Sequence, residues 1–187
     1  MGEKLILIDG HSILNRAFYG VPDLTNAEGI HTNAMYGFLN ILFKFLDEEK
    51  PDYITVAFDL SAPTFRHKAF DGYKGTRKPM QPELKQQVPL MKELLKAMNI
   101  TVVEQEGYEA DDILGTFAKY CEDKNYECVI ATGDRDSFQL ISPNVTVRLA
   151  TTKFGKTESE FYNEEKIKEI YGVSPSLLID IKALQGD

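Results

Sequence analysis

Leu5-Ile6-Leu7-Ile8-Asp9-Gly10 is an apolar run that stops abruptly at an acid and a glycine. It reads as a buried strand ending in a turn. The same signature recurs at Ile54-Thr55-Val56-Ala57-Phe58, ending at Asp59, and at Cys128-Val129-Ile130-Ala131-Thr132, ending at Gly133-Asp134. Helical spacing fills the intervals. Thr32 caps one run with Met35, Phe38, Leu39, Leu42, Phe45 and Leu46 on one face, and Lys50-Pro51-Asp52 ends it. Leu84, Val88, Met91, Leu94, Leu95 and Met98 form a second run, in which Pro89 predicts a kink or a late start. Ala110, Ile113, Leu114, Phe117, Ala118 and Cys121 form a third. Residues 101–103 and 145–149 read as further strands, the last leading into a loop, and two short helices around 167–171 and 175–184 follow. Strands alternating with helices predict an α/β fold: one domain with a mainly parallel, doubly wound sheet and helices on both faces.

Composition agrees with a globular chain. Of 187 residues, 43% are hydrophobic and 27% charged, with no Trp. No apolar run approaches the ~18 residues of a membrane span, and no secretory signal precedes the first strand. With only Cys121 and Cys128, the chain reads as a reduced, cytoplasmic protein without a membrane partner. The net charge of -8 speaks at first against nucleic acid. Its distribution speaks otherwise. Residues 66–92 carry seven bases and two acids, while the remaining 160 carry 14 bases and 27 acids. Local basic clusters of this kind drive phosphate binding through counterion release. The Gly/Pro/Lys/Arg-rich stretch 62–82 fits neither helix nor strand, and a loop of that length in a compact domain is usually functional.

The acids converge. Asp9, Asp59 and Asp134, with Asp136 two residues on, sit at strand ends, and Glu109-Ala110-Asp111-Asp112 starts a helix at the same edge. Ligands of open α/β sheets bind outside the carboxyl ends of the strands. Singly, each acid is explained by a turn or by a helix dipole. Together they are not, since two carboxylates 4 Å apart repel by ~4 kcal/mol at an effective dielectric near 20. Hard divalent cations, Mg²⁺ or Mn²⁺, suit such a site, whereas the three histidines and the Cys-x6-Cys spacing do not suit zinc. Helical spacing places Glu109 and Asp112 on one face, with Asp111 turned elsewhere unless the first turn faces the crevice.

These strings resemble a known family. Leu7-Ile8-Asp9-Gly10, Phe58-Asp59, Phe65-Arg66, Tyr73-Lys74-Gly75-Thr76-Arg77-Lys78-Pro79, Glu109-Ala110-Asp111-Asp112, Thr132-Gly133-Asp134-Arg135-Asp136 and Gly186-Asp187 follow the order and spacing of bacterial 5′-nucleases. The whole chain is similar to the N-terminal 5′→3′ exonuclease (flap endonuclease) domains of bacterial DNA polymerase I. The resemblance implies a PIN-like 5′-nuclease fold over residues 1–187, with a basic arch at about 62–92. It implies two or more divalent cations. Asp9, Asp59, Glu109 and Asp111 would surround the first; Asp134, Asp136 and Asp187 the second, with Asp111 shared and Asp112 in an outer shell. Two such ions ~3.5–4 Å apart clamp the attacking and leaving oxygens of an in-line displacement by water, leaving a 5′-phosphate and a 3′-hydroxyl. In the arch, Lys74 and Arg77 would contact the scissile phosphate and Tyr73 would stack on a base. Arg16, Arg66 and Lys78 are further nucleic-acid candidates.

The substrate so implied is DNA with a 5′ end or flap, in replication and repair, extending to RNA primer strands, at the bacterial nucleoid and beside a polymerase domain in the same polypeptide. The family's helix–turn–helix element, which grips the duplex, is absent from these residues, which implies weak duplex affinity. Two other readings stand beside this one: a PIN-like single-strand ribonuclease, and a nucleic-acid-binding module with little turnover. Gly155-Lys156-Thr157 lacks the upstream glycine of a phosphate loop, since that position is Ala150. An aspartyl nucleophile at Asp134-Arg135-Asp136 is disfavoured by its place after the fourth strand rather than the first. His11 reads as a local hydrogen-bonding residue. Setting the eight site acids aside leaves 21 acids against 21 bases, so the acidity is compatible with a site built to hold cations.

Overall fold

Successive residues of each apolar run face opposite sides of one sheet and are buried on both. Leu5 and Leu7 join one core, and Ile6 and Ile8 the other; Cys128 and Ile130 divide from Val129 and Ala131 in the same way. Two cores, one on each face, are what continuous rather than alternating hydrophobicity encodes in a parallel sheet. The computed structural model describes residues 2–75, 78–153 and 156–185. Its strands are β1 (Lys4–Asp9), β2 (Tyr53–Ala57), β3 (Thr101–Val103), β4 (Glu127–Thr132), β5 (Val145–Lys153) and β6 (Lys156–Tyr162). Their order is β3-β2-β1-β4-β5-β6, the first five parallel and β6 antiparallel to β5.

The helices are α1 (Gly10–Gly20), α2 (Asn33–Glu49), α3 (Phe65–Ala69), α4 (Pro82–Lys85), α5 (Gln87–Ala97), α6 (Ala110–Lys124), α7 (Glu164–Tyr171) and α8 (Leu178–Gln185). Helices α1, α2 and α5 pack on the core of Ile6, Ile8, Phe38 and Phe45; α6, α7 and α8 pack on that of Leu7, Ile130 and Val147. The doubly wound α/β arrangement expected of the sequence is present. Among the described residues, no helix is long and apolar enough to cross a membrane.

Four details depart from the sequence reading, the last of them at Thr32. No separate turn follows Asp9; α1 begins at once, and a Cβ on Gly10 would lie 2.5 Å from the Phe58 ring. Only glycine admits that approach. The loop expected after residue 149 is instead the end of β5 followed by a hairpin strand. Of its described side chains Glu158, Glu160 and Phe161 are exposed and only Tyr162 is buried, so as an edge strand it carries no hydrophobic alternation to read. The segment 62–82 is partly helical, with α3 inside it and α4 starting at Pro82.

Pro89 marks a late start, at the third residue of α5. Thr32 makes no side-chain cap on α2. Fully buried Gln87, from α5, supplies it instead. Its Oε1 accepts from Ala34 N–H at 2.9 Å and Met35 N–H at 3.2 Å, and its Nε2 donates to Asn33 Oδ1 at 3.0 Å. The end of the basic segment is thereby fastened to the fold.

Strand order reverses between β1 and β4, and the crevice at such a switch point is where open α/β sheets bind ligands. Asp9 and Asp134 lie at its two lips.

Candidate active site

Asp9 ends β1 and also caps α1, accepting from Ser12 N–H at 3.0 Å. Its second oxygen accepts from the Thr132 hydroxyl at 3.0 Å. The same hydroxyl accepts from Asp134 N–H at 3.0 Å, and Ser12 Oγ accepts from Gly133 N–H at 2.9 Å. Ser12 and Thr132 thus join the two lips of the switch point, and sequence reasoning missed both. Short hydroxyl side chains beside a candidate acid were the available signal. Asp59 reaches across to α6, accepting from Ala110 N–H at 2.6 Å, while its own N–H donates to His11 Nδ1 at 3.1 Å. His11 is therefore a neutral acceptor against Phe58, the local role expected of it.

Helix α6 corrects the helical-face argument. Glu109 is its N-cap rather than a helical residue, and Asp112 folds back in a capping box to accept from Glu109 N–H at 2.9 Å. The first turn of α6 faces the crevice, so Asp111 enters it beside Glu109, while Asp112 does not. A cleft of about 780 Å³ is lined by Asp9, Asp59, Glu109, Asp111 and Asp134 together with Arg16, Lys74 and Lys78. Asp112 and Asp136 line a neighbouring groove of about 540 Å³, and Asp111 lines both.

Three of the bases expected to await phosphate, Arg16, Arg66 and Lys74, are occupied. Arg66 donates to both Asp112 oxygens at 2.8 Å and lies 3.8 Å from Glu109, which holds the Asp112 carboxyl below the usual range. Lys74, in the left-handed region at φ 55°, donates to Glu109 Oε1 at 2.8 Å. Tyr73 is not an open stacking surface: its hydroxyl donates to Glu109 Oε2 at 3.0 Å and its ring packs edge-on against His67. Arg16 donates to Gly133 O at 2.8 Å. Asp136 is paired with Lys182 of α8. Unlike charges near a crowd of carboxylates find them first. Arg77 and Asp187 lie outside the described residues.

Burial, with the charges of Asp111 and Asp59, pushes the Asp9 carboxyl up to about 7. Burial, then the charges of Asp134 and Asp59, pushes Asp111 up to about 6. Asp9 and Asp111 thus resist ionisation in this cleft, and the all-oxygen donor set around them suits hard divalent cations. As the side chains stand, no group of three acids, histidines or cysteines among the described residues is arranged to hold a metal ion. Lys74, Tyr73, Arg66 and Lys182 take up the outer carboxylates.

The arrangement has known counterparts. The flap endonuclease of bacteriophage T5, solved in a pseudo-enzyme–product complex with DNA and metal ions, matches with a TM-score of 0.71 at 19% identity, over 99% of this chain and 67% of that one. The T5 5′-exonuclease with divalent zinc bound gives 0.69 at 18%, over 97% and 66%. At such identities the likeness is one of fold. Among sequence relatives, the DNA polymerase I of Caldicellulosiruptor bescii is 47% identical over 184 residues and that of Bacillus subtilis 49% over 185. These alignments cover 98% and 99% of this chain, which spans about a fifth of the relatives' length, 22% and 21%. Residues 4–172 match the N-terminal resolvase-like domain of the 5′-3′ exonucleases, and the chain belongs to that family of nucleases.

Proposed function

We propose that the chain hydrolyses phosphodiester bonds at 5′ ends or flaps of DNA, using two or more divalent cations, Mg²⁺ or Mn²⁺. The observation that carries this reading is the crowding of Asp9, Asp59, Asp111 and Asp134 at the switch point, where burial and mutual repulsion raise Asp9 and Asp111 to about 7 and about 6. Asp9, Asp59, Glu109 and Asp111 would hold one cation, and Asp134, Asp136 and Asp187 another, with Asp111 shared and Asp112 outside. When bound, such ions neutralise phosphodiester charge and acidify water.

The protein's own groups then position the strand. Occupation of Glu109 frees Lys74, which turns with Arg77 to the scissile phosphate. Arg16 and Lys78 face the same cleft and hold flanking phosphates. Arg66 keeps Asp112 ionised and α6 oriented. Ser12 and Thr132 keep the Asp9 and Asp134 lips in register. Residues 1–187 act as the catalytic domain with a basic arch at 62–92. Replication and repair, including removal of RNA primers, are the setting, in the cytoplasm at the nucleoid and with a polymerase domain in the same polypeptide.

The test is a 5′-labelled flap and a blunt duplex incubated with and without Mg²⁺, beside Asp134→Ala. Cleavage of the flap should need the metal and vanish in the variant. Metal-independent cutting, or none with any divalent ion, removes the reading. Equal cutting of single-stranded RNA replaces it with the ribonuclease.

A further inference from the structure

We propose that Phe65 and Tyr108 form a stacking platform for an unpaired nucleobase of the strand that enters the acid cleft. This rests on nucleic acid being the substrate.

Phe65 opens α3 at the foot of the basic segment, and Tyr108 immediately precedes the N-cap of α6. Phe65 N–H donates to Gly107 O at 3.0 Å, which ties the two segments together. The ring centroids are 5.8 Å apart and tilted by 58°. Both rings remain about half exposed, at 49% and 51%. The Arg66 guanidinium lies 4.5 Å from the Phe65 centroid and is itself anchored to both Asp112 oxygens. A rigid pair of aromatics is therefore held open to solvent next to Glu109 and Asp112. Half-exposed rings forgo part of the burial that aromatic residues usually achieve, and a base has two π-faces to offer in exchange.

Charge decides the occupant. The platform stands at the start of residues 66–92, which carry seven bases against two acids, so a polyanion is drawn to it. A second exposed aromatic group provides the contrast. Tyr53 and Tyr120 are also half exposed, but they sit at the opposite edge of the sheet, where the Tyr53 hydroxyl donates to Glu3 and Asp52 lies close. That edge repels phosphate. Tyr73 is engaged by His67 and Glu109, as described, and presents no open face for stacking.

The test uses the full chain without divalent ions and a duplex bearing a 5′ overhang. 2-Aminopurine replaces one unpaired base at a time. One or two positions should show quenched fluorescence on binding, and Phe65→Leu with Tyr108→Leu should abolish the quenching. The same pair should weaken binding of an oligothymidine strand by roughly tenfold, the order expected for one stacked base. Tyr108→Phe should retain both effects, and an unchanged melting temperature shows that the rings were not core. Quenching that persists in the double variant, or that never occurs, overturns the platform. So does equal weakening of blunt duplex and single strand, or a surface that binds protein and not oligonucleotide. Because no metal is present, the outcome is independent of cleavage: a chain that quenches but never cuts loses only the nuclease reading.

Discussion

The Thr132 hydroxyl, at the end of β4, donates to Asp9 Oδ2, at the end of β1, at 3.0 Å across the reversal of strand order. It also accepts from Asp134 N–H. Thr132→Val keeps the shape and removes both interactions. We expect cleavage to fall by roughly tenfold, and unfolding in urea to show a loss of about 1–2 kcal/mol. Unchanged kcat in a folded variant would show that the lips hold without the hydroxyl.

Lys74 donates to Glu109, and in the proposed reaction it would reach phosphate once that carboxylate is otherwise engaged. Lys74→Ala should slow single-turnover cleavage by ~100-fold, the size of one lost transition-state donor, with duplex affinity nearly unchanged. Equal losses in rate and affinity would count against the role.

Asp9 and Asp111 have folded-state values of about 7 and about 6, above the ordinary 3.8. A raised carboxyl stabilises the fold while protonated, so this contribution is full below about pH 4 and is lost as pH rises through 6 and 7. In a chelator, the melting temperature should therefore drop between about pH 5 and 8, other groups held constant by comparison with Asp9→Asn. Mg²⁺ should raise it most at the alkaline end, where the carboxylates are free to bind. A melting temperature that rises with pH in the chelator, and equally in Asp9→Asn, would refute the assignment.

Gln87 has no solvent exposure and caps α2 from α5. Gln87→Leu fills the volume but strands two N–H groups and the Asn33 amide oxygen. A cost of roughly 2–4 kcal/mol should appear in thermal unfolding. Cleavage per folded molecule should stay near normal at low temperature, because Gln87 touches none of the acids.

Much of this was legible in the chain itself. Apolar runs of four or five residues ending in Asp9, Asp59 and Asp134 require strands buried on both faces, and parallel strands deliver their last residues to one edge. The acidic crevice follows from that. Which acid faces the crevice does not. Spacing put Glu109 and Asp112 on one face and turned Asp111 elsewhere unless the first turn faced the crevice; folding opened that turn to the crevice, so Asp111 lines the cleft with Glu109 while Asp112 folds back to cap the helix. Arg66 and Lys74 read as basic residues for phosphate, and only folding brought them to Asp112 and Glu109, 46 and 35 residues away. The polar edge strand β6, the capping Gln87 and the reversal of order between β1 and β4 were likewise set by long-range neighbours. Local periodicity encodes which side chains are buried and where a strand stops. Charge pairing and strand order depend on contacts between segments far apart in sequence, and those exist only once the chain has packed.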